Sequence, residues 1–208
     1  KFPAIEIMIG IGNITELTHA DTAGMNAILF GIASELDINY ALCTQVSEHC
    51  NKAIIEGNFA RRIMHTTKQY NMPPKDISNK LLSLHERKPF PYSTEELKEM
   101  WGNVKDKNYR IYVNSEGIHV FNKKSFYTEK DATEMYQHLD VKNDDGHAYY
   151  LGMELAKAQI AFQLGKRYDQ DEMLKWGCSV DVSDEDIMKF KTAGHTMRKS
   201  KIIKEDKR

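Results

Sequence analysis

The sequence predicts an α/β fold: two βα units with parallel strands, followed by a small α+β, mostly helical, C-terminal region. Three observations carry this. Ile5 to Ile11 is an apolar run broken only by Glu6 and Gly10, the pattern of a strand covered on both faces. A second run, "YALCT" from Tyr40, lies between two segments with helical spacing. "YRIYVNSEGIHVFN", from Tyr109, gives instead two alternating runs about a Gly-containing turn, a hairpin signal.

Each element follows from its residues. After the first strand the chain reads as a polar loop, and Thr22 to Leu36 then carries Met25, Ile28, Leu29, Ile32 and Leu36 at helical spacing, with Asp21 or Thr22 placed as the cap. A longer helix from about Cys50 to Tyr70 has Ile54, Ile55, Phe59, Ile63 and Met64 on its inner side. Met72, Pro73 and Pro74 stop it, since proline removes a donor and disfavours helical geometry in the residue before it. The polar, proline-marked stretch to Pro91 reads as a connector with room for one short helix. Ser93 and Glu96 have capping-box spacing before Leu97 and Met100, so a helix starts there. Beyond the hairpin, helices are expected at Thr128–Leu139, Asp144–Leu164, Asp169–Trp176 and after Ser183, ahead of a charged tail. The resulting division is 1–72 for the βα units, 73–92 for a linker, 93–190 for the C-terminal region and 191–208 for the tail.

Composition removes several function classes. With 208 residues, a net charge of −1 and a pI near 6.8, bulk attraction to nucleic acid or to an anionic membrane is not indicated. No apolar run approaches the roughly 18 residues that span a bilayer. Cys43, Cys50 and Cys178 make neither a CxxC pair nor an even disulfide set, which favours a reducing compartment and the cytoplasm. "KFPAIEIM" lacks the features of a signal peptide, and a chain opening on Lys1 is expected to have lost an upstream part.

The first candidate site is Asn13, at the carboxyl end of the first strand. In parallel α/β folds ligands bind beyond those ends, where loops and helix amino termini converge. A carboxamide offers one acceptor and two donors, which suits a heterocycle with adjacent polar atoms, and Gly10 and Gly12 leave room for close approach. An Asn that ties down its own loop is the alternative.

The stretch "GIGNITELTHADTAGMN" is similar to the end of the seventh strand of pterin-binding TIM barrels, the group containing dihydropteroate synthases and corrinoid-dependent methyltetrahydrofolate methyltransferases. Gly10, Ile11, Gly12, Asn13, Ile14, Thr15 and the later Asn26 fit the methyltransferase pattern. "HAYYLGMELAKAQIAFQLGKRYDQDEMLKWG" resembles the domain of unknown function that follows such a barrel in the archaeal dihydropteroate synthase-related family. The resemblance implies that the βα units are the last two of a barrel whose first six lie upstream. It implies a reduced pterin as ligand or substrate, of the tetrahydromethanopterin or folate type, and a transferase. Asn13 would bond the pterin ring, Thr44, Gln45 and Ser47 would face the same mouth, and Glu16, His19 and Asp21 on the following loop would supply an acid or a phosphate contact. The Ser-Arg-Lys and Arg-x-His of true synthases are missing, so condensation and methyl transfer both stay open.

The second motif has its own chemistry. On a helix His147, Tyr150, Glu154 and Lys157 share one face beside the apolar stripe Ala148, Leu151, Leu155, Ala158 and Phe162. An imidazole, a phenol, a carboxylate and an ammonium can move protons or hold an anion, which makes His147, Glu154 and Lys157 catalytic candidates. The alternative is an intrahelical surface network. One His with one Glu does not make a zinc site, and no metal is expected. His119, Tyr109, Tyr112 and Phe121 read as a packed sheet face. Two function classes follow: a pterin-dependent enzyme, or a non-catalytic partner-binding or assembly module of a pterin/corrinoid methyl-transfer system whose C-terminal domain docks a partner subunit, with self-association or a missing N-terminal barrel portion expected at the open strands.

Overall fold

In the computed structural model, which describes residues 5–181, β1 (Met8–Gly10) and β2 (Tyr40–Leu42) pair in parallel, with Met8 opposite Tyr40 and Gly10 opposite Leu42. The chain forms two units. Unit one holds the described residues up to Glu86 and those from Lys175 on, and unit two is Arg87–Leu174. The helix expected after Ser183 and the charged tail lie outside the described residues.

In unit one, β1 runs straight into α1 (Ile11–Leu17), where a polar loop was expected, and α2 (Thr22–Glu35) follows. Asn13 and Glu16 are therefore helical residues. The turn forms because Ile11 buries completely and the Thr15 hydroxyl returns to the Gly12 carbonyl at 3.3 Å. A 3-10 turn (Glu48–Cys50) leads into α3 (Ala53–Tyr70). Asn71, at φ 47°, ends that helix in the left-handed region before either proline is reached.

The apolar stripes expected to face inward do so only in part: Ile63 is buried and Leu29 and Met64 pack on the core, but others turn outward. Ile28 on α2 is 67% exposed and Ile54 on α3 is 52% exposed, with Ile32, Leu36 and Ile55 also outward. The helices meet instead through Ala23, Phe30 and Ala33 on one side and Ala53, Gly57, Ala60 and Ile63 on the other. Small residues allow this: a Cβ on Gly57 would lie 3.0 Å from the Phe30 ring. The core is built on Ile11, Phe30 and Ala60, with Ile9, Leu29, Cys43, Met64 and Leu81 packed around it. Among the described residues β1 is not covered on both faces: Met8 is 62% exposed, and Ile7 just before it 61%. Between Pro73 and Pro91 there is no helix.

Unit two opens with α4 (Thr94–Gly102), whose capping box is present: Ser93 Oγ accepts from the Glu96 amide and Glu96 accepts from the Ser93 amide. β3 (Arg110–Asn114), β4 (Gly117–Asn122) and β5 (Ser125–Glu129) form an antiparallel meander. The expected hairpin is β3–β4. The third strand takes up Thr128 and Glu129, so the helix that follows, α5 (Ala132–Gln137), is shorter than expected and is capped by Asp131. Ile111, Val113, Ile118 and Val120 are buried in the core of the sheet, and α6 (Asp145–Leu164) packs against β3 and β4. Gly165, at φ 60°, ends α6. The helix expected at Asp169–Trp176 is absent, because Gln170 is held to the β3 backbone: its Oε1 accepts from the Ile111 amide at 2.9 Å and its Nε2 donates to the Tyr109 carbonyl at 3.2 Å.

Candidate functional site at the ends of the parallel strands

The carboxyl ends of β1 and β2 lie side by side through their register, and α1 grows directly from the first. Gly12 sets the spacing there. A Cβ at that position would stand 2.3 Å from Thr44 Oγ1 and 3.0 Å from the Thr44 amide nitrogen, so only glycine lets α1 sit this close to the segment leaving β2. Glu16, one turn further along α1, completes the contact. Its Oε1 accepts from the Val46 amide at 2.7 Å and its Oε2 from the Ser47 amide at 3.0 Å. The Ser47 hydroxyl, then the Val46 and Ser47 amides, hold the Glu16 carboxyl down at about 2, so it is ionised at neutral pH.

The same end contains groups that sequence reasoning passed over. The Thr15 carbonyl accepts from His49 Nε2 and from Cys50 Sγ, each at 3.1 Å, and the His49 ring meets His19 edge to face at 5.9 Å. Cys50 is fully buried, and burial, with the Glu16 charge nearby, pushes its thiol up from the usual range. It is not poised as a nucleophile. The only sequence signal for His49 was its position just after the strand-end loop.

The proposed pterin-side residues thus divide. Glu16 and Ser47 are engaged with each other. Thr44 Oγ1 is buried against Gly12 without a hydrogen-bond partner among the described residues. Asn13 and Gln45 are exposed, and Asn13, on the outer side of α1, has its amide nitrogen beside Gly10, where a Cβ would stand 3.0 Å away. His19 and Asp21 are exposed between α1 and α2, and Asp21 makes no cap bond with its side chain. Asn26 is away from the strand ends' surface: it is buried between α2 and α3, donating to the Ala53 carbonyl at 3.2 Å and to Glu56 at 3.4 Å, while the Thr22 hydroxyl also donates to Glu56.

In unit two the helical stripe is split. His147 turns back to its own cap, Asp144, with Nδ1 3.3 Å from Oδ2. Tyr150, Glu154 and Lys157 instead hold the segment after α6. Lys157 Nζ lies 2.6 Å from Glu154 Oε1 and donates to the Glu172 carbonyl at 2.9 Å. Tyr168 donates to Glu154 Oε2 at 2.6 Å, and Tyr150 to Asp171 at 2.7 Å. Burial first, and the neighbouring carboxylates next, raise both phenols above their ordinary range. His119 is also fully buried, bonded to Thr128 Oγ1 at 2.9 Å and Asn114 Oδ1 at 2.7 Å, and burial holds its pKa below the usual value. Tyr112, Phe121 and Phe126 stack beside it. No group of three or more His, Cys, Asp or Glu side chains that could hold a metal ion occurs among the described residues. None of the described helices is long and apolar enough to cross a membrane.

The fold and these strand ends define a mixed α/β protein, and comparison points to a pterin-binding-related family: residues 102–171, within unit two, match the family model described as PterinBD-DUF4346. The chain is also similar to uncharacterized protein MJ0107 of Methanocaldococcus jannaschii, with 28% identity over 190 residues, covering 80% of this chain and 36% of the relative. The chain therefore spans about a third of the length of that relative. No solved structure matches.

Proposed function

We propose that the chain is the C-terminal part of a dihydropteroate synthase-like protein, and that its unit one supplies the last two βα units of a pterin-binding TIM barrel. The intact protein would be a cytoplasmic transferase acting on a reduced pterin of the tetrahydromethanopterin or folate type, in biosynthesis or methyl transfer. One observation carries the site: Asn13 presents an exposed carboxamide beside the ends of two parallel strands. Thr44, Gln45 and Ser47 leave the neighbouring strand at the same end. His147, Glu154 and Lys157 take structural roles in this reading, since the partners named above already occupy them.

The uncovered strand faces favour a second reading. Ile5, Ile7, Met8, Tyr40 and Leu42 are all exposed, and neighbouring strands and helices from outside this chain would cover them. A chain whose main task is assembly would show the same surface. Calorimetric titration of tetrahydrofolate into the full-length protein separates the two. Binding that falls at least tenfold in Asn13→Ala, with the melting temperature unchanged, is expected for the pterin site. No binding by the parent, or equal binding by the variant, would favour assembly or a different site.

A further inference from the structure

Glu16, on α1 at the strand ends, has both carboxylate oxygens engaged with backbone amides. Oε1 meets the Val46 amide at 2.7 Å and Oε2 meets the Ser47 amide at 3.0 Å, a bidentate grip on two successive peptide groups. Thr44, at the other end of the same loop, is pressed against Gly12, one turn earlier on α1. Gln45, between these anchors, is exposed. α1 therefore fixes the loop on both sides of Gln45 and also carries Asn13. We infer that Glu16 is a positioning residue: it binds no ligand itself, but locks loop 44–47 to the helix bearing Asn13, so that both exposed carboxamides are held on one rigid frame. This rests on the pterin reading above. It also removes Glu16 from the set of candidate acids, because both of its oxygens already accept from the loop.

The geometry sets the chemistry of the ligand edge. With Glu16 engaged, Asn13 and Gln45 offer neutral carboxamides at the strand ends. They suit a neutral donor–acceptor edge of a heterocycle.

The test has two arms. In the first, amide hydrogen exchange of Val46 and Ser47 is followed by NMR in the 208-residue chain. Glu16→Gln keeps the size but has one accepting oxygen in place of two, and exchange at one or both amides should rise at least tenfold. Glu16→Asp keeps the charge but is a methylene shorter, so it should loosen the grip as well; it guards against a glutamine variant that misfolds, with circular dichroism reporting the fold of each. In the second arm tetrahydrofolate is titrated into full-length parent and variants. Faster exchange together with at least fivefold weaker binding supports the inference. Unchanged exchange overturns the clamp, and faster exchange with unchanged binding overturns the positioning role. A parent that does not bind tetrahydrofolate overturns the pterin reading itself and the positioning role with it. That outcome is separable from one in which parent and Glu16→Gln bind equally well.

Discussion

Tyr168→Phe tests what the long helical motif is for. The ring stays, and with it the burial of a side chain only 4% exposed; what is lost is the hydroxyl that donates to Glu154 Oε2 at 2.6 Å. Glu154 is itself 4% exposed and ion-paired with Lys157 at 2.6 Å, so the lost bond is one to a buried acceptor in an ion pair. Such bonds contribute about 1.5–3 kcal/mol, against about 1 kcal/mol for a neutral pair. The variant leaves Glu154 with Lys157 Nζ at 2.6 Å and the Asp171 amide at 3.3 Å, which keeps the cost inside that range rather than above it. About 2 kcal/mol corresponds to a drop of roughly 8–16 °C in the melting temperature of a domain of this size. Scanning calorimetry and urea unfolding of the whole chain measure it, and a double-mutant cycle with Glu154→Gln isolates the pair. A destabilisation below about 0.5 kcal/mol, or a cycle with no coupling, would refute the claim that the motif exists to fasten the segment after α6.

Two other outcomes follow. Gly177 sits at φ 60°, and a Cβ there would lie 2.5 Å from the Lys80 carbonyl oxygen and 2.8 Å from that of Leu82, so Gly177→Ala should destabilise unit one by about 2–4 kcal/mol, combining left-handed strain with overpacking; an unchanged urea midpoint by Trp176 fluorescence would contradict it. Because burial holds the His119 pKa below 6.5, the unfolded chain binds the extra proton first, so the stability from neutral His119 is full above about 6.5 and is lost as the pH falls toward the lower folded value; the urea midpoint of unit two should fall from pH 7 to pH 5, and His119→Gln should flatten that slope.

The fold was legible where one residue type decides a local structure. Ser93 and Glu96 gave the start of α4 because a capping box is a contact within four residues. The parallel pairing of β1 and β2 could be read from two apolar runs separated by a helix, since such a connection leaves little else. Burial in unit one was not legible. Ile28, Ile32 and Ile54 make a stronger hydrophobic pattern than Ala23, Ala33 or Gly57, yet the small residues form the contact. Periodicity ranks side chains by size, whereas two helices that approach closely select for its absence. Among the described residues nothing covers Ile28, Ile32 or Ile54. β5 was missed for a different reason: Thr128 and Glu129 read equally well as a strand end or a helix start, and the choice falls to Ser125 and Phe126 pairing with Asn122 and Phe121.

In the candidate site, Asn13 follows from the end of a hydrophobic run, whereas Thr44, Gln45 and Ser47 follow from the resemblance to pterin-binding barrels, and the geometry that relates them was not legible. Glu16 could not be sorted from His19 and Asp21 by sequence, since all three stand between a strand and a helix with ordinary loop polarity. Its partners are backbone amides, at Val46 and Ser47, thirty and thirty-one residues away. A backbone donor carries no residue identity, so no spacing rule can reveal such a contact. Only the position of α1 does, and α1 was itself unread because Gly10, Gly12 and Asn13 are residues that usually break helices. Gly12 admits the close approach that brings Glu16 to the loop. The feature that hid the helix is the one that lets Glu16 reach the Val46 and Ser47 amides.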